Sequence, residues 1–216
     1  MRRLLFMAAV GLQLLGGTPD IVDRVAVTVG YKAITESRVD EEIRVTAFLN
    51  GEVPKFDGAS RRAAADRLVE RILLKREIEI SGFTGGLSDD YGDPFADIRA
   101  RFADEATFRG ALAEAKISEA KLRESLAEQA RMLQFIDFRF RPAVTVSDEE
   151  ARKFYDGEYQ ALWMALHPGV TAPPFDEARD EVERLLVDRQ VDAQMNDWLM
   201  TMRAQTRVVY RDEAFQ

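Results

Sequence analysis

The spacing of apolar residues changes once, early in the chain. Val25, Val27 and Val29 alternate with Ala26 and Thr28 in "VDRVAVTVGYKAIT", residues 22–35, which predicts a strand. Gly30-Tyr31 supplies a turn before Ala33-Ile34. From there the spacing becomes three-to-four, the period of a helix. Thr35 is placed to cap a first helix, with Glu36 in its first turn, Val39, Ile43 and Ala47 or Phe48 along one side, and Asn50-Gly51 ending it. Pro54 to Gly58 is a loop. Ser60 starts a second helix that runs to about Ser81 and stops at Gly82, with Leu68, Ile72 and Leu73-Leu74 on its apolar face. Residues 82–94 are rich in glycine and aspartate and predict a mobile loop.

Helical spacing resumes near Phe95, with Ile98 and Phe102 four apart. Asp104 caps a helix carrying Phe108 and Leu112. Ser118 caps another, whose stripe is Leu122, Leu126, Leu133 and Ile136, and Pro142 stops it. "VSDEE" contains a capping box, Ser147 with Glu150, ahead of a short helix holding Phe154 and Tyr155. A final helix spans about Asp176 to Gln205. Asp176, Glu177, Asp180 and Glu181 stand near its start, where the helix dipole favours anions, and Val182, Leu185, Leu186, Ala193, Trp198, Leu199 and Met202 are its apolar positions. "RVVY", 207–210, predicts a closing strand.

The two convincing strand segments lie at opposite ends of the described pattern. A lone strand leaves its backbone groups unpaired, so the two are expected to pair, directly or through the hairpin. The fold class that follows is mainly α: a helical domain closed by a long C-terminal helix, with a small β element joining the N- and C-terminal strands.

Composition adds limits. The chain has 216 residues, 46% of them hydrophobic, enough for a real core in one domain or two small ones. The net charge of -8 argues against nucleic acid as a partner and against docking on anionic lipid. Arg2 and Arg3 followed by an apolar run from Leu4 to Leu15 read as an export signal, cleaved after Gly17. That run falls short of the roughly 20 residues that span a bilayer, although a retained anchor is the alternative. Loss of residues 1–17 removes two arginines and no acid, leaving a net charge near -10 and a mature chain without a membrane span. The absence of cysteine excludes thiol catalysis and cysteine-ligated metals.

Candidate chemistry is sparse. His167, the one histidine, sits in "LHPGV" with no G-x-S-x-G elsewhere, and a solvated loop position is the simpler reading. The acidic runs "SDEE" and "DEARDEVE" suit helix starts better than a metal, and residues 83–93 lack the spacing of an EF-hand or a P-loop. No cofactor is expected. What remains is a set of large apolar residues: Phe135, Phe138 and Phe140 at the end of one helix, Trp163 and Met164 beyond Tyr155, and Met195, Trp198, Met200 and Met202 on the last helix. They cannot all share one face. Phe135, Phe138, Phe140, Trp163, Met164, Met195, Trp198 and Met202 are the candidate peptide-binding residues of an apolar groove, since methionine and aromatic side chains adapt to varied apolar partners; filling an ordinary core is the alternative.

The order of segments resembles a known family. "VDRVAVTVGYKAITESRVDEEI", "RLVERILLKREIE" and "FRGALAEAKISEAKLRESLAEQARMLQFIDFRFRPAVTVSDEEARKFYD" resemble the N-terminal domain of the SurA-type periplasmic chaperones. "FDEARDEVERLLVDRQVDAQMNDWLMTMRAQTRVVY" resembles their C-terminal helix and strand. In that family, parvulin-type prolyl isomerase domains lie between these two parts. Here only residues 160–174 stand in that place, far fewer than the roughly 50 a domain needs. After the signal peptide read at 1–17, the resemblance implies a helical chaperone core at 18–159, a short linker at 160–174 and a C-terminal helix and strand at 175–216 that complete the same domain. It implies a periplasmic, ATP-independent holdase for unfolded or extended polypeptide, outer-membrane protein segments above all, while the missing isomerase module argues against an enzyme. The alternatives are a peptidyl-prolyl isomerase, or a non-catalytic interaction subunit with one dedicated partner or as a homodimer.

Overall fold

A computed structural model describes residues 23–85 and 92–216. The expected export signal and the middle of the 82–94 loop lie outside the described residues. Strands β1 (Val25–Val29) and β2 (Lys32–Thr35) form an antiparallel hairpin in which Val29 faces Lys32 across two turn residues. Gly30 holds the first of them at φ +60°, where a side chain would be strained. Strand β3 (Val208–Tyr210) pairs antiparallel with the other edge of β1, giving the order β2-β1-β3. The two ends therefore share one sheet, as the alternation implied.

Helix α1 (Glu36–Asn50) follows β2 at once, with Gly51 ending it in the left-handed conformation. Thr35 is its N-cap residue, yet the side chain caps no backbone amide; Asp23 instead accepts from the Ser37 amide and hydroxyl. Helix α2 (Gly58–Ser81) starts two residues before the expected Ser60, because Asp57 is the cap and its carboxylate accepts from the Ser60 amide. Helices α3 (Pro94–Ala100), α4 (Glu105–Ala115) and α5 (Glu119–Phe140) are capped by the side chains of Asp93, Asp104 and Ser118. Helix α6 (Asp148–Phe154) carries the full Ser147–Glu150 capping box.

The helix does not end there. A π turn at 155–159 leads into α7 (Gln160–Leu166), so the first half of the expected 160–174 linker is helical, and the reversal falls at His167 to Pro174. Nothing in "QALWMAL" opposes a helix, and Pro168-Gly169 supplies the stop, with Gly169 at φ +83°. The wide π turn brings Tyr155 and Tyr159 onto one side, stacked at 5.6 Å, where Tyr155 donates to the Pro173 carbonyl and Tyr159 to Glu181, both at 2.7 Å. Helix α8 (Phe175–Gln205) then packs against α6, α5 and α2.

Three apolar clusters result. The central one joins the sheet (Val27, Val29, Ile34) to α1, α2, α5 and the last turns of α8, through Val39, Leu68, Val69, Phe135 and Leu199. A second packs the end of α1 against α3, α4 and the start of α5 around Phe108 and Leu122. The third packs α6 and the π turn against the first half of α8 around Phe154, Tyr159, Phe175 and Val182, forming an arm. Arg141 links arm to body by donating to Asp137 at 2.7 Å and Asp188 at 2.8 Å.

Candidate functional site

Where α2, α5 and α8 meet, the side chains leave a groove of about 310 Å3. Leu74, Met132 and Leu199 form its buried floor, Ile136 and Met195 its half-buried sides, and Leu133 stands 55% exposed at its lip. The expected α5 stripe accounts for this lip. Leu122 and Leu126 are buried, but Phe135 and Met132 take the core-facing positions further along, which turns Leu133 outward. Arg67, Glu70, Arg71 and Gln129 line the polar rim. An unbranched thioether adapts to irregular apolar partners, and here two methionines face one opening.

A chain of charges ties α1, α2 and α5 together beside the groove. Glu42 of α1 is 5% exposed and accepts a bidentate pair from Arg71 of α2, at 2.7 and 3.0 Å. Arg67 approaches Glu42 at 3.4 Å. Arg71 also lies 3.7 Å from Glu128 of α5, which Lys75 contacts in turn. Burial pushes the Glu70 carboxyl above the ordinary glutamate range, and Asp66 adds to the shift while Arg203 and Arg67 oppose it. Burial likewise lowers the Lys75 ammonium, with Arg71 and Arg38 contributing.

The eight residues singled out by sequence separate into several places. Phe135 is fully buried against Phe83, with ring centroids 5.5 Å apart, and Phe140 is buried against Trp198 at 6.2 Å; both are core, because the α5 faces that carry them point at α2 and α8. Phe138 is 61% exposed beside Phe83. Met195 lines the groove. Trp198 and Met202 lie one to two turns further along α8 and line a separate cleft of about 170 Å3 with Leu73 and Ile80. Trp163 and Met164 sit on the arm, away from the others. Met132, Leu133, Leu74, Ile136 and Leu199 are the groove residues missing from that set. Leu74, Leu133, Ile136 and Leu199 stand on the apolar faces predicted for their helices, and Met132 adjoins that of α5, but helical spacing does not separate groove from core.

His167 is exposed at the end of α7. Its ring stacks on Trp163 at 4.1 Å and its Nδ1 lies 3.1 Å from the Trp163 carbonyl oxygen. Among the described residues, no group of three or more His, Asp or Glu side chains could hold a metal ion, and no helix is long and apolar enough to cross a membrane. A larger opening of about 560 Å3 between α1 and α2 has a mixed lining, with Ile43, Ala47 and Val53 beside Asn50, Glu52 and Lys55. No protein-family model matches the chain, and no curated protein matches it.

Proposed function

We propose that this protein is an exported, ATP-independent holdase that takes up apolar segments of unfolded polypeptide in the α2/α5/α8 groove. The observation that carries the reading is the groove itself: an apolar, methionine-bearing opening whose α2 and α5 walls are tied together by the Glu42–Arg71–Glu128–Lys75 chain of charges. The resemblance of the segment order to the SurA-type chaperones supports the same reading, and so does the N-terminal export pattern for a periplasmic location. Each client Leu, Phe or Met side chain that leaves water for such a groove gains about 1.5–3 kcal/mol. Part of that gain offsets the ordering of the client, so micromolar affinity, about -8 kcal/mol, is the natural range and permits release without a nucleotide. In this reading the protein binds and does not catalyse.

The test is light scattering of a denatured barrel protein diluted with and without the chain. Suppression is expected without ATP, and it is expected to fall several-fold in Leu133→Glu, which places a charge at the groove lip at little cost to the fold. Aggregation unaffected by the unmodified protein at several-fold excess contradicts the proposal. Turnover of a proline peptide above background, lost in His167→Ala, would favour an isomerase instead.

A further inference from the structure

The arm ends in an uncharged surface rich in exposed apolar side chains. From Tyr159 to Pro174 the sequence carries no Asp, Glu, Lys or Arg, in a chain where 31% of residues are charged. The helix and turn in this stretch leave Leu162, Met164, Leu166 and Val170 between 50% and 76% exposed. Leu162 and Leu166, four apart, share one face of α7, and Val170 follows in the turn, so their exposure reads as an interaction surface.

The surroundings of that tip say what fits it. Between Ser147 and Gln190 there are eleven acidic and five basic side chains, a net of -6 against -8 for the whole chain. Three of the arginines are engaged: Arg179 with Asp148 at 2.6 Å, Arg189 with Glu158 at 2.9 Å, and Arg152 near Asp176 at 4.0 Å. Exposed Glu149, Asp156, Glu177 and Asp180 have no ion pair among the described residues. An apolar tip behind an acidic field repels an anionic bilayer and a second acidic copy of the arm, and attracts a cationic apolar chain.

We propose that the arm tip is a second client contact, selective for apolar polypeptide segments flanked by lysine or arginine. This rests on the holdase reading only in that the ligand is a polypeptide, and it names the class of client. The field gathers the basic flanks, while Leu162, Leu166 and Val170 receive the apolar centre.

Two synthetic peptides with one apolar centre, one flanked by lysines and one by glutamates, test this by calorimetric titration into the unmodified protein. The lysine-flanked peptide is expected to bind about tenfold more tightly, with the advantage shrinking as salt is raised. The doubly substituted Leu162→Ser/Leu166→Ser protein, altered only at exposed positions, is expected to lose that binding with an unchanged circular dichroism spectrum. Glu149→Gln/Asp156→Asn/Glu177→Gln is expected to lose the discrimination alone. Equal affinity for both peptides overturns the proposal, as does binding indifferent to the tip substitutions. Self-association abolished by the same serine substitutions, or binding to neutral lipid vesicles, would assign the tip to a second copy or to a bilayer and also overturn it. If the peptides fail while Leu133-dependent suppression of aggregation persists, this inference falls and the holdase reading stands; if both fail, both fall.

Discussion

At the scale of single residues, the molecule concentrates its electrostatic stakes around α2. Glu42 is buried and holds its bidentate pair with Arg71, so Arg71→Leu leaves a buried carboxylate with only the longer contacts to Arg67 and Thr46. We expect a loss of about 3–5 kcal/mol, read as a lowered midpoint in urea denaturation. Glu70 presents the opposite case. Its carboxyl is held above its ordinary value chiefly by burial, so its ionisation costs native stability once pH passes the usual carboxylate range. Glu70→Gln is therefore expected to raise the melting temperature at about pH 7 and to leave it unchanged at about pH 3. Tyr159 and Tyr210 mark the alkaline limit. Burial first, then hydrogen bonds to Glu181 and Asp66, push both hydroxyls up to about 12 from 10.0. A raised native value means stability that is complete below pH 10 and lost as pH rises towards about 12. Ultraviolet titration should show these two phenols ionising late, towards about pH 12, and that step should vanish in the doubly substituted Tyr159→Phe/Tyr210→Phe protein.

At the scale of elements, caps and period made most of the architecture legible. Asp104, Ser118 and the Ser147–Glu150 box start helices where their side chains can satisfy backbone amides, a local requirement that local sequence expresses. Asp23 capping α1 across the hairpin was not legible, because the cap comes from 14 residues away and only the folded hairpin delivers it. The continuation into α7 was hidden for a similar reason. Its residues bury little, so no amphipathic stripe announces it, and the Tyr155 and Tyr159 hydrogen bonds that hold the π turn are tertiary. Phe135 and Leu133 show why the groove was only partly legible: both are large and apolar, two residues apart on α5, yet one is core and the other is lip. Periodicity gives a face, whereas the angle at which α2 and α8 cross that face decides which edge stays open.

At the scale of the whole molecule, the sheet order β2-β1-β3 closes the chain on itself. Arg203 of α8 donates to Asp66 of α2 at 2.6 Å, the Tyr210 hydroxyl donates to the same carboxylate, and the Arg62 guanidinium lies 3.5 Å over the Tyr210 ring. Although burial raises the Asp66 carboxyl, these partners bring it below its ordinary value. Gly58 lies so close to the Phe215 carbonyl that a side chain there would collide with it, which seats the C-terminal turn on the start of α2. Removing residues 207–216 uncovers Val27 and the Asp66 cluster together. We expect the truncated chain to lose about 10 °C or more in melting temperature, equivalent to some 3–5 kcal/mol, measured by circular dichroism. This closure matters for function because α8 carries one wall of the groove and α2 and α5 carry the others.

The most direct test of the central claim is site-specific photocrosslinking to a denatured barrel protein, with a photoreactive amino acid at position 133 on the groove lip and, as control, at exposed position 53. Strong adducts are expected from position 133, competed by excess unlabelled client, and background from position 53. Equal labelling from the two positions, or none from position 133, would contradict that claim.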